Sequence, residues 1–372
     1  MKLTKPYISF QEIYAASRIL KSGNLTQGKA SARFESDICE YVGSKYAFVT
    51  SSATTGLHLS LDVLQIGEGD EVIIPDFSFP ATANSVIKVG ARPICVDIDL
   101  KTFCIDPDEI EKNISEKTKA IMPVHAFGLC ANMPEIMKIA RKHNLRVIED
   151  AACAIGSTIN QQHAGTFGDC GVYSFHPRKL ITTGEGGAIV TNNDELSKLI
   201  GISRSHGGVR AELFFEFIDS GYNFRLSDIN SAIGIEQLLK IERIISARKK
   251  YAEIYNILFE GNSLLTTPSV PEGYSHTYQS YVVLLSKGVD RNFIIRELKK
   301  LDIESTLGTY SISSQPYFKE YSAHKKISVP RSNFAFAQTL TLPLYPGMKR
   351  RDVTTVASAL LAILDKKYGK TL

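Results

Sequence analysis

Lys179 has the surroundings in this 372-residue chain that most invite chemistry. It lies in Gly171–Thr191, GVYSFHPRKLITTGEGGAIVT, between two short apolar runs, Val172 to Phe175 and Ala188 to Thr191, that suit buried strands. A buried ammonium costs free energy unless it is paired or neutralised, and a lysine that releases its proton readily can form a Schiff base. A lone lysine in a turn reads just as well as a solvated surface cation, so its neighbours decide. Asp150 ends the apolar run RVIED and precedes the small-residue stretch AACAIGS, where it can cap a helix or serve a site. Ser52 to Thr55, in KYAFVTSSATTGLHL, form a polar turn between a strand and a helix. Such a turn gathers free backbone N–H groups into a phosphate site, although Ser and Thr there also act as plain caps. Phe77 and Phe79, in DFSFP, can stack on a flat ring or pack into the core. An amine, a carboxylate, a phosphate cup and an aromatic plate are the parts a pyridoxal 5′-phosphate (PLP) site needs.

The elements that must position these residues alternate along the chain. Strands are predicted over Tyr46–Thr50, Glu71–Pro75, Arg92–Val96, Ala120–Val124 and Arg146–Asp150, and helices over Gly56–Leu64, Ala81–Val89 and Met133–His143. Short apolar strands alternating with helices predict an α/β fold, a parallel sheet covered on both faces, with ligands at the strands' carboxyl ends. Helical pieces joined by SGNLTQG precede it. Ser227 is a plausible N-cap of the helix that closes this first domain. A charged helix over residues 241–258 leads into a second, α+β unit with a strand in HTYQSYVVLL, a helix in VDRNFIIRELKKLDI and a closing helix in VTTVASALLAIL. The expected division is a large domain over 1–245, with a helical N-terminal arm, and a small C-terminal domain over 246–372.

Composition narrows the function classes. A hydrophobic content of 44% and a charged content of 22% are those of a chain with a sizeable core. A net charge of +4 without a dense Lys/Arg block argues against nucleic-acid or membrane partners. The six cysteines show no CxxC pairing, so neither a metal site nor a disulfide framework is expected. MKLTKPYISF has no secretory pattern, and no apolar run is long enough to span a bilayer, so a cytoplasmic location is expected.

SFHPRKLITTGEGGAIVT, VIEDAACAIGS, GYNFRLSDINSAIG and SGNLTQGKASARFE, in this order and spacing, resemble the DegT/DnrJ/StrS family of sugar-nucleotide aminotransferases, PLP enzymes of fold-type I. The resemblance runs from about Lys5 to Met348 and implies a large domain with a mainly parallel seven-stranded sheet. It implies that Lys179 is the Schiff-base lysine, Asp150 the partner of the ring nitrogen and Phe79 the aromatic against the ring. Ala53 and Thr54 match the phosphate-binding turn, Ser174 a further phosphate ligand, and Asn223 an asparagine delivered from a second subunit, hence a homodimer with shared active sites. Cys153 stands where Gln or His commonly contacts the ring hydroxyl. Tyr310, Gln315 and Tyr317 can line the sugar pocket or pack beside it. The implied reaction takes an amino group from an amino acid, glutamate by analogy, to a nucleotide-linked keto-sugar for a surface polysaccharide or glycan. Lys179 would then act as base and acid, its pKa brought down towards neutrality. The pyrophosphate needs basic or N–H donors, for which Arg204, Arg210 and Lys21 are candidates by composition and equally solvated cations. The GEGG turn reads as room for a bulky ligand beside the backbone. A related PLP-dependent sugar 3-dehydratase would carry His in place of Lys179, and a non-catalytic regulatory relative would carry a broken site.

Overall fold

The structure, a computed structural model, describes residues 1–319, 321 and 327–369. Its central sheet contains β1 (Tyr46–Thr50), β2 (Glu71–Pro75), β4 (Arg92–Val96), β5 (Thr118–Ile121), β6 (Arg146–Asp150), β9 (Cys170–Ser174) and β10 (Gly187–Thr191). The short strands β3 (Phe77–Ser78), β7 (Thr158–Ile159) and β8 (Gln162–His163) lie outside it. The order is β1-β10-β9-β6-β5-β2-β4, and all strands run parallel except β10, which is antiparallel to both its neighbours. The carboxyl ends of β1, β2, β5, β6 and β9 therefore share one edge, and β10 begins there. The strands are buried on both faces, as a helix-covered sheet requires.

The helices of the large unit are α1 (Phe10–Ser22), α2 (Lys29–Val42), α3 (Ala53–Val63), α4 (Ala81–Lys88), α5 (Pro107–Asn113), α6 (Met133–His143), α7 (Asp194–Ser203) and α8 (Asp228–Leu238). Ser227 caps α8 as its position suggested, its Oγ accepting from Asn230 N at 3.3 Å. The long helix α9 (Ile241–Phe259) feeds two cores. Ile241, Ile244 and Ile245 pack with the large unit, and Ala252, Tyr255 and Phe259 with the small one, so a division at 245 falls inside a single helix. The small unit adds α10 (Arg291–Lys300), α12 (Arg350–Tyr368) and an antiparallel sheet of Leu265–Thr266, Tyr281–Leu285 and Thr339–Leu342. Not all of the chain after 246 belongs to it. Ile312, Phe318 and Ala335, the last on α11 (Pro330–Gln338), pack into the large unit's core. Two buried carboxylates at strand ends hold them there. Asp76 accepts from Ser311 Oγ and Ser313 N, both at 2.7 Å, and Asp97 accepts from Ser332 N at 2.7 Å and Arg331 Nε at 3.1 Å.

The N-terminal arm docks through Glu12, which is 2% exposed. Its carboxylate pairs with Lys240 and accepts from Ser9 N at 2.8 Å and Gln237 Nε2 at 2.7 Å. Burial alone would raise its pKa, but the hydrogen bonds from Lys240, Ser9 and Gln237 outweigh that and lower it from 4.5 to about 2. A carboxylate depressed in the folded state contributes stability that is present above the unfolded value and is lost as pH falls through the folded one. Glu12→Gln is therefore expected to lose about 2 kcal/mol above pH 4.5 and to converge on the wild type towards pH 2. Chemical denaturation across that range checks it; a difference independent of pH would remove the charge from the account.

Candidate active site

A cavity of about 530 Å3 opens at the carboxyl edge of the sheet, within the range that small-molecule sites occupy. Every motif residue in its wall follows a strand end. Ser52, Ala53 and Thr54 follow β1, Phe77 to Phe79 follow β2, Asp150 to Cys153 close β6, and Ser174 and Lys179 close β9. Parallel strands terminating together bring residues more than a hundred positions apart into one chamber.

Lys179 occupies the turn between β9 and β10, its N–H donating to His176 O at 2.8 Å. It is partly buried, and its Nζ lies 3.0 Å from Cys153 Sγ. Asp150 is 5% exposed at the end of β6. Its Oδ2 accepts from Thr82 Oγ1 at 2.8 Å and its Oδ1 from Ala152 N at 3.2 Å. Burial pushes the Asp150 carboxyl upward, opposed by the Thr82 hydroxyl and the Lys179 charge. Burial likewise presses the Lys179 pKa down, but the Cys153 sulfur and the Asp150 carboxylate outweigh it and the net direction is up. The expected fall towards neutrality is thus not a property of the polypeptide by itself. Cys153 and Asp150 beside it favour the protonated amine. Cys153, singled out as an unusual residue for its position, is the side chain the lysine actually touches.

The phosphate turn differs from its expected boundary. Helix α3 begins at Ala53, three residues earlier than its periodicity suggested, because Ser52 caps it, its Oγ accepting from Thr55 N at 3.1 Å. Ala53 and Thr54 thereby become the first helical residues, whose N–H groups have no acceptor within the helix and meet an anion favourably. Ser174 Oγ stands in the same chamber. Within the GEGG turn Glu185 and Gly186 line the chamber, while Gly187 makes room for backbone. A Cβ on Gly187 would lie 2.5 Å from Ala53 N, and one on Gly186 2.4 Å from Thr183 Oγ1. Gly187 is what lets β10 press against the turn.

Beneath the chamber lies a network no motif announced. Glu149 is fully buried, and its carboxylate accepts from Gly165 N (2.8 Å), Phe167 N (2.7 Å), Gly168 N (2.8 Å) and His125 Nε2 (2.8 Å). Ala131 N donates to His125 Nδ1 at 2.9 Å, so the imidazole proton is on Nε2. The network pins the strand that presents Asp150, which also accepts from His125 N through its backbone carbonyl at 3.1 Å. On the opposite side Gln279 Nε2 donates to Arg178 O at 2.8 Å, tying the lysine turn to the small unit. The buried guanidinium of Arg248 holds the Tyr278, Gln279 and Leu344 carbonyls at 3.0, 2.9 and 3.1 Å. Burial lowers the Arg248 pKa to about 10. Phe127, a wall residue held at φ 56°, packs edge-on against Phe103 at 5.7 Å. Apolar type was the only sequence signal for Phe127, and a single buried acid beside Asp150 the only one for Glu149.

Lys179, Asp150, Phe79, Ala53, Thr54, Ser174 and Cys153 are brought together in this wall. Asn223 is not among its residues; it is exposed, its Oδ1 accepting from Arg225 Nε at 3.1 Å. Tyr310, Gln315 and Tyr317 are also displaced from it. Asp76 captures the segment they belong to, so Tyr310 pairs with Ser78 and faces Phe336. Gln315 turns back to Ser311 O and Ser314 Oγ, and Tyr317 is 57% exposed. Thr306, Gly308 and Thr309 supply that wall instead. Arg204 is neither a pyrophosphate ligand nor a surface cation, since it is 6% exposed and bound to Glu35 and to Val49 O.

These residues fit PLP. The chamber holds an amine, a buried carboxylate across from it, two helix-terminal N–H groups with a serine hydroxyl, and an aromatic ring, one for each part of that molecule.

Comparison with known proteins agrees. The model of the DegT/DnrJ/EryC1/StrS aminotransferase family matches residues 6–361. GDP-perosamine synthase of Caulobacter vibrioides is 36% identical over 341 residues, 91% of each chain. PseC of Helicobacter pylori, an aminotransferase involved in the biosynthesis of pseudoaminic acid, superposes with a TM-score of 0.93 at 30% identity, over 98% of this chain and 99% of that one. The PLP-form of the putative sugar aminotransferase Spr1654 from Streptococcus pneumoniae superposes with a TM-score of 0.93 at 26% identity, over 98% of this chain and 99% of the other.

Proposed function

Since this chain belongs to the DegT/DnrJ/EryC1/StrS aminotransferase family and is a PLP-dependent sugar aminotransferase, we propose that it carries an amino group from L-glutamate to a nucleotide-linked keto-deoxysugar destined for a surface polysaccharide or glycan. The observation that carries this reading is Lys179 Nζ inside the chamber, 3.0 Å from Cys153 Sγ, with Asp150 buried in the same wall. A histidine in its place would favour the 3-dehydratase reaction, and a missing lysine or aspartate a non-catalytic relative.

The residues divide the work. PLP, when bound, supplies an electron-accepting ring and an aldehyde carbon. Lys179 would hold that aldehyde, and its Nζ would carry a proton to and from the substrate carbon. Asp150, its orientation fixed by Thr82 Oγ1, favours the protonated ring nitrogen. Ala53 and Thr54 N–H and Ser174 Oγ would hold the phosphate, Phe79 would lie against the ring, and Cys153 sits 3.0 Å from the Lys179 amine. Arg178, an exposed residue of the chamber wall, is a candidate partner for a substrate anion.

A homodimer with shared sites is part of the same proposal. It is supported by the exposure of Asn223 and by an apolar hairpin, Gly208–Arg210 with Phe215–Phe217, that carries Leu213 at 82% and Phe214 at 76% exposure. A cytoplasmic location is supported by six cysteines, all of them free. Among the described residues no helix is long and apolar enough to cross a membrane.

The test is a panel of keto-deoxysugars carried on GDP, UDP or dTDP, with the ketone at C3 or C4, offered with L-glutamate. One member should return an amino sugar, and NMR then fixes the aminated carbon. Turnover of glutamate with no acceptor aminated anywhere in the panel would sink the nucleotide-sugar assignment.

A further inference from the structure

One side of the chamber is built by residues that precede every motif. Leu3 and Thr4 line it together with Thr306, Gly308, Thr309 and Leu344. They do so because the segment Met1–Tyr7 is pinned at both ends. Towards the small unit, Leu3 N donates to Glu304 Oε2 at 3.0 Å and Lys2 Nζ to Glu304 Oε1 at 2.7 Å. Glu304 N donates to Met1 O at 2.9 Å, and Leu344 N to Leu3 O at 3.1 Å. Towards the large unit, Gln237 Nε2 donates to Tyr7 O at 2.7 Å, and Lys240 Nζ and the Arg243 guanidinium lie 5.2 and 5.6 Å from the centre of the Tyr7 ring. The segment is a strap from one unit to the other, and Leu3 and Thr4 are the part of it that meets the cavity.

The chemistry of this side differs from that opposite. Lys179, Asp150 and the anion-binding turn all stand on the sheet side. The strap side offers two isobutyl groups, threonine hydroxyls and backbone, with no ionisable side chain among the six residues named. An amino-acid donor carries a carboxylate and gains little from such a surface. A deoxysugar ring, apolar on one face and edged with hydroxyls, suits it. We infer that the strap forms the acceptor-sugar wall of the active site and that Leu3 is a specificity-determining residue for the sugar. The inference rests on the nucleotide-sugar reading above.

The two half-reactions separate the strap from the rest of the site. Leu3→Ala should raise the KM for the acceptor identified by the panel about tenfold, roughly 1.4 kcal/mol and within what burying a leucine side chain contributes, with kcat within about threefold of wild type. The half-reaction with L-glutamate alone, followed by the cofactor's spectrum, should stay within about twofold. Glu304→Gln, which unpins the strap without touching the cavity, should shift the acceptor KM in the same direction by a smaller factor. An acceptor KM unmoved in Leu3→Ala, or a parallel loss in both half-reactions, overturns the assignment. A wild-type enzyme that aminates no member of the panel overturns the nucleotide-sugar reading and the strap's role with it. An active wild type with an indifferent Leu3→Ala overturns the strap alone.

Discussion

Lys179→Ala protein should transfer no measurable amino group, with turnover below about one ten-thousandth of wild type, and yet fold normally. The lysine is asked to do two things that no neighbour can replace. It must hold the cofactor covalently, and it must move a proton at the substrate carbon. Among the described residues the side chain hydrogen-bonded to Nζ is Cys153, and Asp150 is committed to Thr82 Oγ1 and Ala152 N, so neither supplies a second amine. Folding should survive because a side chain whose ammonium must be desolvated contributes little net stability. Borohydride should fix the cofactor to Lys179 in the wild type, as located by peptide mass, and leave the variant unlabelled. Methylamine, which fits the space a truncated lysine vacates, should restore part of the proton transfer. Substantial turnover in Lys179→Ala without added amine would place the base elsewhere.

Glu149→Ala is expected to cost stability on the scale of the whole fold. Truncation strips the acceptor from three backbone N–H groups and from His125 Nε2; the Gly165 and His125 contacts are buried and the Phe167 and Gly168 contacts partly so. Leaving a buried donor without its acceptor costs about 1–3 kcal/mol, several donors lose theirs here, and a domain's total stability is about 5–15 kcal/mol. Glu149→Gln should recover little. One amide oxygen replaces one carboxylate oxygen, but the amide nitrogen then points a donor at other donors. Urea denaturation of the cofactor-free protein measures this directly, and His125→Gln, which leaves the three N–H contacts in place, should lose distinctly less. A Glu149→Ala protein within about 1 kcal/mol of wild type would mean that water reaches this network, and that the strand presenting Asp150 does not depend on it.

The ranking of these two effects also shows where sequence was informative. The motif around Lys179 announces itself, since a cation between two apolar strands and a glycine turn is rare by composition alone. Glu149 announces nothing. It sits one residue before Asp150 and looks like a strand-end acid, and only the folded chain brings three N–H groups of residues 164–168 and the His125 ring together on its carboxylate. Tyr310, Gln315 and Tyr317 illustrate the reverse case. Their types suit a sugar pocket, but the buried carboxylate of Asp76 binds the backbone and serine between them and turns them elsewhere.

The amino-acid sequence by itself determined the alternation of strands and helices and the placement of Asp150, Lys179 and the Ser52–Thr55 turn at strand ends. Each is encoded by a period or a turn chemistry spanning a few neighbouring residues. The roles expected of Lys179, Asp150, Ala53, Thr54 and Ser174 come from the resemblance of their motifs to the family. Tertiary structure alone decided that β10 runs against its neighbours, that Cys153 is the partner of Lys179 in the polypeptide, that Gly187 admits the backbone of Ala53, and that Leu3, Gln279, Thr306 and Leu344 complete the chamber. Those outcomes depend on which distant hydrogen-bonding groups find each other once two cores have packed around one shared helix, and no local pattern along the chain carries that information.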